Sequence, residues 1–187
     1  RQVQVICANN PALIMRESKA QISFNMDMAK IKRVREGLFR EHRIDVHINP
    51  TLKEIMQYLD MLERAGKHVA SDIEVIGGET ACIGFANDAH SAMSIPFRNM
   101  TENLYELHDE KLIRQRVQKL YSTSSVRHVM QNGHFDSTWL GFKDRILVQP
   151  LYFDTMLAHH TLYPTMPHNL GYITTQYTDH PYYKDEK

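Results

Sequence analysis

The stretch HVASDIEVIGGETACIGFANDAHSAMSIPF, residues 68–97, decides how the rest of the chain is read. Three short runs within it, His68–Ile76, Ala81–Ala86 and Ala92–Phe97, are apolar enough to be strands. The pairs Gly77-Gly78 and Asn87-Asp88 between them are turn signals. The pattern predicts a three-stranded meander. Asp72 and Glu74 stand at i and i+2 of its first strand, so both side chains leave the same face and Ile73 points the other way. Like charges at that spacing repel, and a cation or a shared proton is needed to hold them together. A pair of solvated acids on an exposed sheet face has the same spelling, so the neighbouring segments must decide.

Working outward toward the N-terminus, residues 50–66 form an amphipathic helix. Leu52, Ile55, Met56, Leu59 and Leu62 make its apolar stripe. Either Asn49 caps it with Pro50 at the first position, or Thr51 caps it with Glu54 three residues on. Gly66 ends it. Residues 42–49 are polar and read as a linker. A further helix is predicted from Phe24 to Arg43, with Lys30, Lys32, Arg33, Arg35, Arg40 and Arg43 on its outer side. Such a face either meets phosphate or is simply solvated. Val3–Ala8 reads as a strand broken by Asn9-Asn10-Pro11.

On the other side of the meander, residues 98–108 are loop-like and Asp109 caps a helix through Thr123. Val126–Gln131 is the next strand, Phe135–Phe142 a short helix, Ile146–Leu151 an apolar run, Asp154–Tyr163 a helix and Asn169–Tyr177 the last helical piece. Three strands, then helix, strand and helix, give an α/β mixed sheet flanked by helices. Asp136 lies just past a strand, at the start of a helix, where an acid is either a cap or a functional group. Asp154 is read as a helix cap, Asp179 as a turn residue, and Tyr152, Phe153, Tyr163, Tyr172 and Tyr177 as core.

Composition narrows the function classes. Apolar residues make up 42% of the 187, enough for a real core, and charge balances at zero, so any basic groove is local. Cys7 and Cys82 are far apart and form no CxxC, which points to a reducing compartment. No apolar run reaches the ~20 residues of a membrane span. The adjacent His159 and His160 point about 100° apart on a helix and chelate poorly; no zinc is expected.

These segments together resemble the 3′-5′ exonuclease (DnaQ-like, DEDD) domain of family A DNA polymerases, most of all those of bacteriophage type. The first motif is Ala70-Ser71-Asp72-Ile73-Glu74, continued by Cys82–Ala86 and Ala92–Phe97. The second is Asn132-Gly133-His134-Phe135-Asp136 with Leu140. Phe153–Ala158, Tyr163-Pro164, His168–Leu170 and Tyr177 resemble the connecting helices. The resemblance implies an RNase H-like fold over residues 46–187 and two-metal hydrolysis of a terminal phosphodiester. Two Mg²⁺ or Mn²⁺ ions ~4 Å apart would be held by Asp72, Glu74 and Asp136. Asp72 would bridge both ions, Glu74 would orient the attacking water, and Asn132 and Phe135 would meet nucleic acid. The implied partner is the single-stranded 3′ end of a DNA primer, with a polymerase domain downstream and a cytoplasmic setting, that of the host cell if viral. The alternatives are a stand-alone DnaQ-like exonuclease on RNA or DNA, and an inactive DNA-binding remnant of the same fold.

The family's fourth carboxylate, in Y-x-x-x-D or H-x-x-x-x-D, is matched by spacing at His180 and Asp185, but Pro181 spoils the helix that should carry it. The motif is therefore expected beyond Lys187, the chain being a fragment. Val5–Arg16, VICANNPALIMR, with Asp27–Lys30, resembles the last motif of the uracil-DNA glycosylase superfamily. Asn10 replaces its histidine, so residues 1–45 are read as the tail of such a domain.

Overall fold

The computed structural model describes residues 5–18, 20–40 and 44–180. The chain divides into two compact units, one of residues 43–161 and one that gathers residues 1–42 with 162–187.

The first unit holds a six-stranded sheet. Its strands are β1 (Asp45–His47), β2 (His68–Ile76), β3 (Glu79–Ala86), β4 (Ser91–Pro96), β5 (Arg127–Met130) and β6 (Leu151–Asp154), in the order β1-β4-β3-β2-β5-β6. The predicted meander is there: β2 pairs antiparallel with β3, and β3 with β4. Strands β5 and β6 add in parallel beside β2. This is the mixed, helix-flanked sheet of the RNase H-like plan.

Strand alternation sets which face is core. Val69, Ile73, Ile83, Phe85, Met93, Ile95 and Phe97 point inward and are 6% exposed or less. They pack with Ile55, Leu59 and Leu62 of one helix and Ile113, Val117, Leu120 and Tyr121 of another. The helix Leu52–Ala65, here α3, begins with a complete capping box between Thr51 and Glu54, and Gly66 closes it in the left-handed conformation at φ 55°. Of the two caps open in the sequence, Thr51 is the one used. The helix Leu107–Ser122, here α4, starts two residues before the expected cap Asp109. Arg116 of α4 lies 2.8 Å from Asp60 and also pairs with Glu63, both on α3, across the solvent edge of the two helices.

Three expectations are corrected. The supposed linker 42–49 contains β1, an exposed edge strand that pairs in parallel with β4; polar sequence hid it because none of its side chains is buried. The helix expected at Phe135–Phe142 is two pieces, α5 (Gly133–Trp139) and a wider π turn (Leu140–Asp144) that Arg145 ends at φ 59°. Tyr152 and Phe153, read as core, are 51% and 46% exposed.

In the second unit, α1 (Pro11–Arg16) follows a stretch, residues 5–8, that has no regular structure where a strand was expected. Val5 is 79% exposed and has no strand to pair with among the described residues. Helix α2 (Ala20–Arg35) begins four residues before the expected start and ends well before Arg43, with Gly37 at φ 69° just beyond. Asp27 accepts the backbone N–H and the side-chain amide of Asn9, each at 2.9 Å. Asp179 is no mere turn residue: it is buried, 2.9 Å from Arg33, and accepts the N–H of Arg40. Helix α7 (Leu170–Tyr177) has Asn169 as its cap, one residue from the expected start. Helix α6 (Thr155–Leu162), as the sequence indicated, belongs to the first unit as far as Thr161. Tyr177 is half exposed rather than core.

Candidate active site

Asp72 and Glu74 leave the open face of β2, and Ser71 and Ile73 beside them are buried. The strand delivers both acids to one side because their spacing matches its two-residue period. Asp136 arrives from the other direction. It sits in the first turn of α5 and is 3% exposed, although it comes from a residue 64 positions away in the chain. Its Oδ1 accepts the backbone N–H of Ile73 at 3.0 Å, the residue between the two acids of β2. The Asp72 carboxylate lies near enough for its charge to act on this group.

That proximity has an electrostatic signature. Burial first, and then the charge of Asp72, push the Asp136 carboxyl up to about 6, against the opposing pull of the Ile73 N–H. Asp136 therefore keeps its proton to a higher pH than an ordinary aspartate does. Glu74 stands one step along the strand, opposite Cys82 of β3. Burial, followed by the charges of Glu74 and Asp72, pushes the Cys82 thiol up, so this sulfur stays neutral and the available donors are hard oxygens. Among the described residues no three His, Cys, Asp or Glu side chains are gathered closely enough to form a ready cage for a metal ion. The preassembled part is the Asp72–Asp136 pair, with Glu74 on the same strand face.

The junction before α5 is shaped by a different acid. Asn132 takes a left-handed conformation at φ 57°, and Gly133 follows it into the helix. A Cβ on Gly133 would lie 2.7 Å from the Cβ of Met130, so no side chain fits there. Asp154, at the end of β6, accepts the N–H groups of Asn132 at 3.1 Å and Gly133 at 2.8 Å. It also accepts those of Met156 at 2.8 Å and Leu157 at 3.2 Å. Asp154 is therefore the helix cap expected, and it caps two helices at once. Asp136 is not the cap of α5; its carboxyl accepts the Ile73 N–H from the sheet, with its own backbone N–H as a lesser aid.

Beyond Asp136 the outer side of α5 opens into a groove of about 440 Å³. Phe135, Trp139, Phe142 and Lys143 line it, with His134 and Thr138 at its rim. Phe135 and Trp139 stack with centroids 6.1 Å apart, and the Lys143 ammonium lies 5.6 Å from the Trp139 ring. Phe142 is 79% exposed. The floor is fixed by a polar relay: Trp139 Nε1–H donates to Thr80 Oγ1 at 3.0 Å, and Thr80 donates to Asp144 at 2.6 Å. Asp144 lies 2.7 Å from Arg114 of α4.

A family model described as 3′-5′ exonuclease matches residues 47–187. The chain belongs to this exonuclease family. Solved structures of exonucleases share its fold. The Aedes aegypti Nibbler EXO domain superposes with a TM-score of 0.55 at 16% identity, over 73% of this chain and 71% of that one. Brucella melitensis NrnC gives 0.52 at 20% identity, over 78% and 65%. Escherichia coli RNase D gives 0.52 at 14% identity, over 76% of this chain but 36% of its own length. No curated protein matches.

Within the exonuclease fold, the three acids named from sequence are placed unequally. Asp72 lies near enough to Asp136 for its charge to raise that carboxyl, and Glu74 leaves the same face of β2 as Asp72. Asn132 and Phe135, expected to meet nucleic acid, both border the groove. Sequence reading missed Trp139, Phe142 and Lys143, whose i, i+3 and i+4 spacing was visible but reads equally as core. It also missed Tyr121, fully buried behind the acids, whose hydroxyl burial pushes above its usual range. The H-x-x-x-x-D match at His180 ends at Asp185, which lies outside the described residues.

Proposed function

We propose that this exonuclease domain removes terminal nucleotides from the 3′ end of single-stranded nucleic acid, with Asp72, Glu74 and Asp136 as its catalytic carboxylates. The observation that carries the reading is the buried Asp136 carboxyl held by the N–H of Ile73, the residue between Asp72 and Glu74, and raised by the Asp72 charge. A buried carboxylate beside the charge of a second one is unfavourable unless something positive is shared between them. The donor set is all oxygen, as Mg²⁺ and Mn²⁺ require. Asp72 and Asp136 are the residues that would hold such an ion, with Glu74 joining from the same face. A bound divalent cation supplies charge for the phosphate and lowers the pKa of water.

The protein's own residues do the rest. Ile73, fixed in the core by its side chain, holds Asp136 through its backbone. Asp72 adds its charge beside Asp136 from the exposed face of β2. Glu74 is exposed on a flexible stem and accepts a proton from, or orients, an attacking water. The resemblance on the full set of motifs supports DNA as substrate, in the proofreading domain of a family A polymerase with its polymerase domain downstream. A stand-alone exonuclease on RNA is the second reading. It is favoured by the fold neighbours, RNase D and Nibbler among them, and by a Trypanosoma brucei RNase D solved in complex with RNA U12. Cytoplasm is the proposed setting; no helix among the described residues is long and apolar enough to cross a membrane.

Residues 1–45 we propose as a glycosylase-like tail without excision activity. Asn10 uses its side chain to accept the Ala12 N–H at 2.9 Å as the cap of α1, and a neutral amide cannot become the cation that stabilises a departing uracil anion. Release of free uracil from a deoxyuridine oligonucleotide would contradict this.

The deciding experiment is gel-resolved digestion of 3′-labelled and 5′-labelled DNA and RNA single strands, with Mg²⁺, Mn²⁺ or EDTA. The expected result is metal-dependent loss of the 3′ label first. Cleavage that persists in EDTA would overturn the mechanism, and a preference for RNA would replace proofreading with the second reading.

A further inference from the structure

We propose that the groove of Trp139, Phe142 and Lys143 is a separate subsite, which stacks one internal base of the substrate strand and pairs with its flanking phosphate. The proposal rests on the single-strand reading above but concerns residues that reading does not use. Three observations point the same way. The groove combines exposed aromatic faces with a cation: Phe142 is 79% exposed, and Lys143 lies 5.6 Å from the Trp139 ring. A flat π surface beside an ammonium fits a base joined to a phosphate, and fits any of the bases.

The groove also lies on the helix that carries Asp136, α5, and on the π turn that follows it, while the acids themselves do not line it. Asp136 faces β2 while Trp139, Phe142 and Lys143 follow it at three, six and seven positions. At about 1.5 Å per helical residue, the groove extends from one turn to roughly 10 Å beyond Asp136. Stacked nucleotides rise ~3.4 Å each, so that distance is about three nucleotides from the cut.

The third observation is rigidity. The Trp139 indole N–H is held by Thr80, which is held by Asp144, itself paired with Arg114. A stacking ring that is already ordered loses little freedom when a base arrives. Phe142, by contrast, is largely exposed and offers a free ring face to a base. A second copy of this chain is the competing occupant for an exposed aromatic face. The lysine on the ring favours an anionic polymer over a neutral protein surface.

The test uses equilibrium titration of the 187-residue chain with a ten-nucleotide single strand in EDTA. Emission is read from Trp139, the chain's one tryptophan. Saturable quenching is expected. Phe142→Ala should weaken the affinity roughly 5- to 150-fold, the range for one lost base stack. Lys143→Gln should reduce the slope of log affinity against log salt by about 0.7. Both variants should keep the parent's melting temperature, since neither side chain is buried. An abasic nucleotide near the third position from the 3′ end should remove the Phe142 effect, and one at the 5′ end should leave it.

Unchanged affinity in Phe142→Ala, or an emission change indifferent to every abasic position, would overturn the proposal. So would a Phe142-dependent dimer in sedimentation without oligonucleotide. Its failure is separable from that of the catalytic reading. If Asp72→Asn abolishes digestion while Phe142→Ala binds like the parent, the subsite falls and the catalytic reading stands. If the parent digests nothing with any divalent ion yet shows Phe142-dependent quenching, the subsite stands and the catalytic reading falls.

Discussion

Two aspartates, both nearly buried and both at a strand-to-helix junction, behave in opposite ways. Asp154 is 8% exposed and Asp136 3%. Asp154 gathers four backbone N–H groups from two helix starts, which surround its charge with positive dipole ends. Asp136 receives the Ile73 N–H and, more weakly, its own backbone N–H, and it lies beside the charge of another acid. One carboxylate is satisfied by the fold; the other is left with a demand that a proton or a cation must meet. The number of donors, not the burial, separates a structural acid from a chemical one. That difference is what assigns Asp154 to architecture and Asp136 to the site.

The comparison is easiest to break at the chemical end. Asp72→Ala and Asp136→Ala should each lower the rate of 3′ digestion by ~10²–10³ or more, the scale for one lost electrostatic group. Circular dichroism should show both variants folded. An active Asp136→Ala would put Asp136 with the structural acids. Asp154→Ala should do the reverse and act on stability. It strands four donors, and we expect a loss of roughly 3–5 kcal/mol, read from denaturant midpoints. If Asp154→Ala melts like the parent but loses digestion, the division of roles is wrong.

A subtler contrast uses pH. The Asp136 carboxyl is raised in the folded chain to about 6 from an ordinary value of 3.8. A raised acid means that the folded state holds its proton after the unfolded chain has released it. The metal-free protein is therefore favoured below pH ~4, and loses that contribution as pH climbs toward 6. At 1.36 kcal/mol per pH unit the loss is ~3 kcal/mol. Asp136→Asn, which keeps an acceptor for the Ile73 N–H, should remove this dependence. Its gain in stability over the parent, measured in EDTA, should grow from pH 4.5 to 7 and then level off. A parent and variant that run parallel across that range would show that Asp136 holds no such proton. The smallest effect is steric: Gly133→Ala forces a Cβ to 2.7 Å from Met130. It should lower stability by about 1–3 kcal/mol and slow digestion only as far as α5 shifts.

Local rules were enough for the elements whose causes are local. The β2–β4 meander follows from alternation and two turn pairs, and α3 from a capping box and a closing glycine. Asp154 as a cap was also legible, because strand end followed by helix start is a local pattern. What escaped depends on distant partners. β1 is a strand only because β4 lies beside it, and its own side chains are exposed. Residues 5–8 have strand-like composition and no strand to join among the described residues. Asp72 and Asp136 are 64 residues apart and no periodicity points from one to the other; only the resemblance between motifs links the two acids. The aromatic spacing at 135, 139 and 142 looked like a buried stripe, and exposure is a tertiary fact.

One irregularity in the sheet ties these regions together. The register of β2 and β3 slips between Glu74 and Val75: Glu74 faces Cys82, but Val75 faces Thr80, so Ala81 has no opposite number. Adjacent residues of β3, Thr80 and Ala81, are consequently both buried. Thr80 gains the orientation that lets it take the Trp139 indole and reach Asp144. The spelling of Thr80 and Trp139 is therefore not enough to transmit this arrangement between relatives; the count of residues between Gly78 and Cys82 must be inherited with it. Among diverging copies of this domain, a one-residue deletion in that hairpin would unseat the indole while every groove residue remained in place, a change that comparing letters column by column would not reveal.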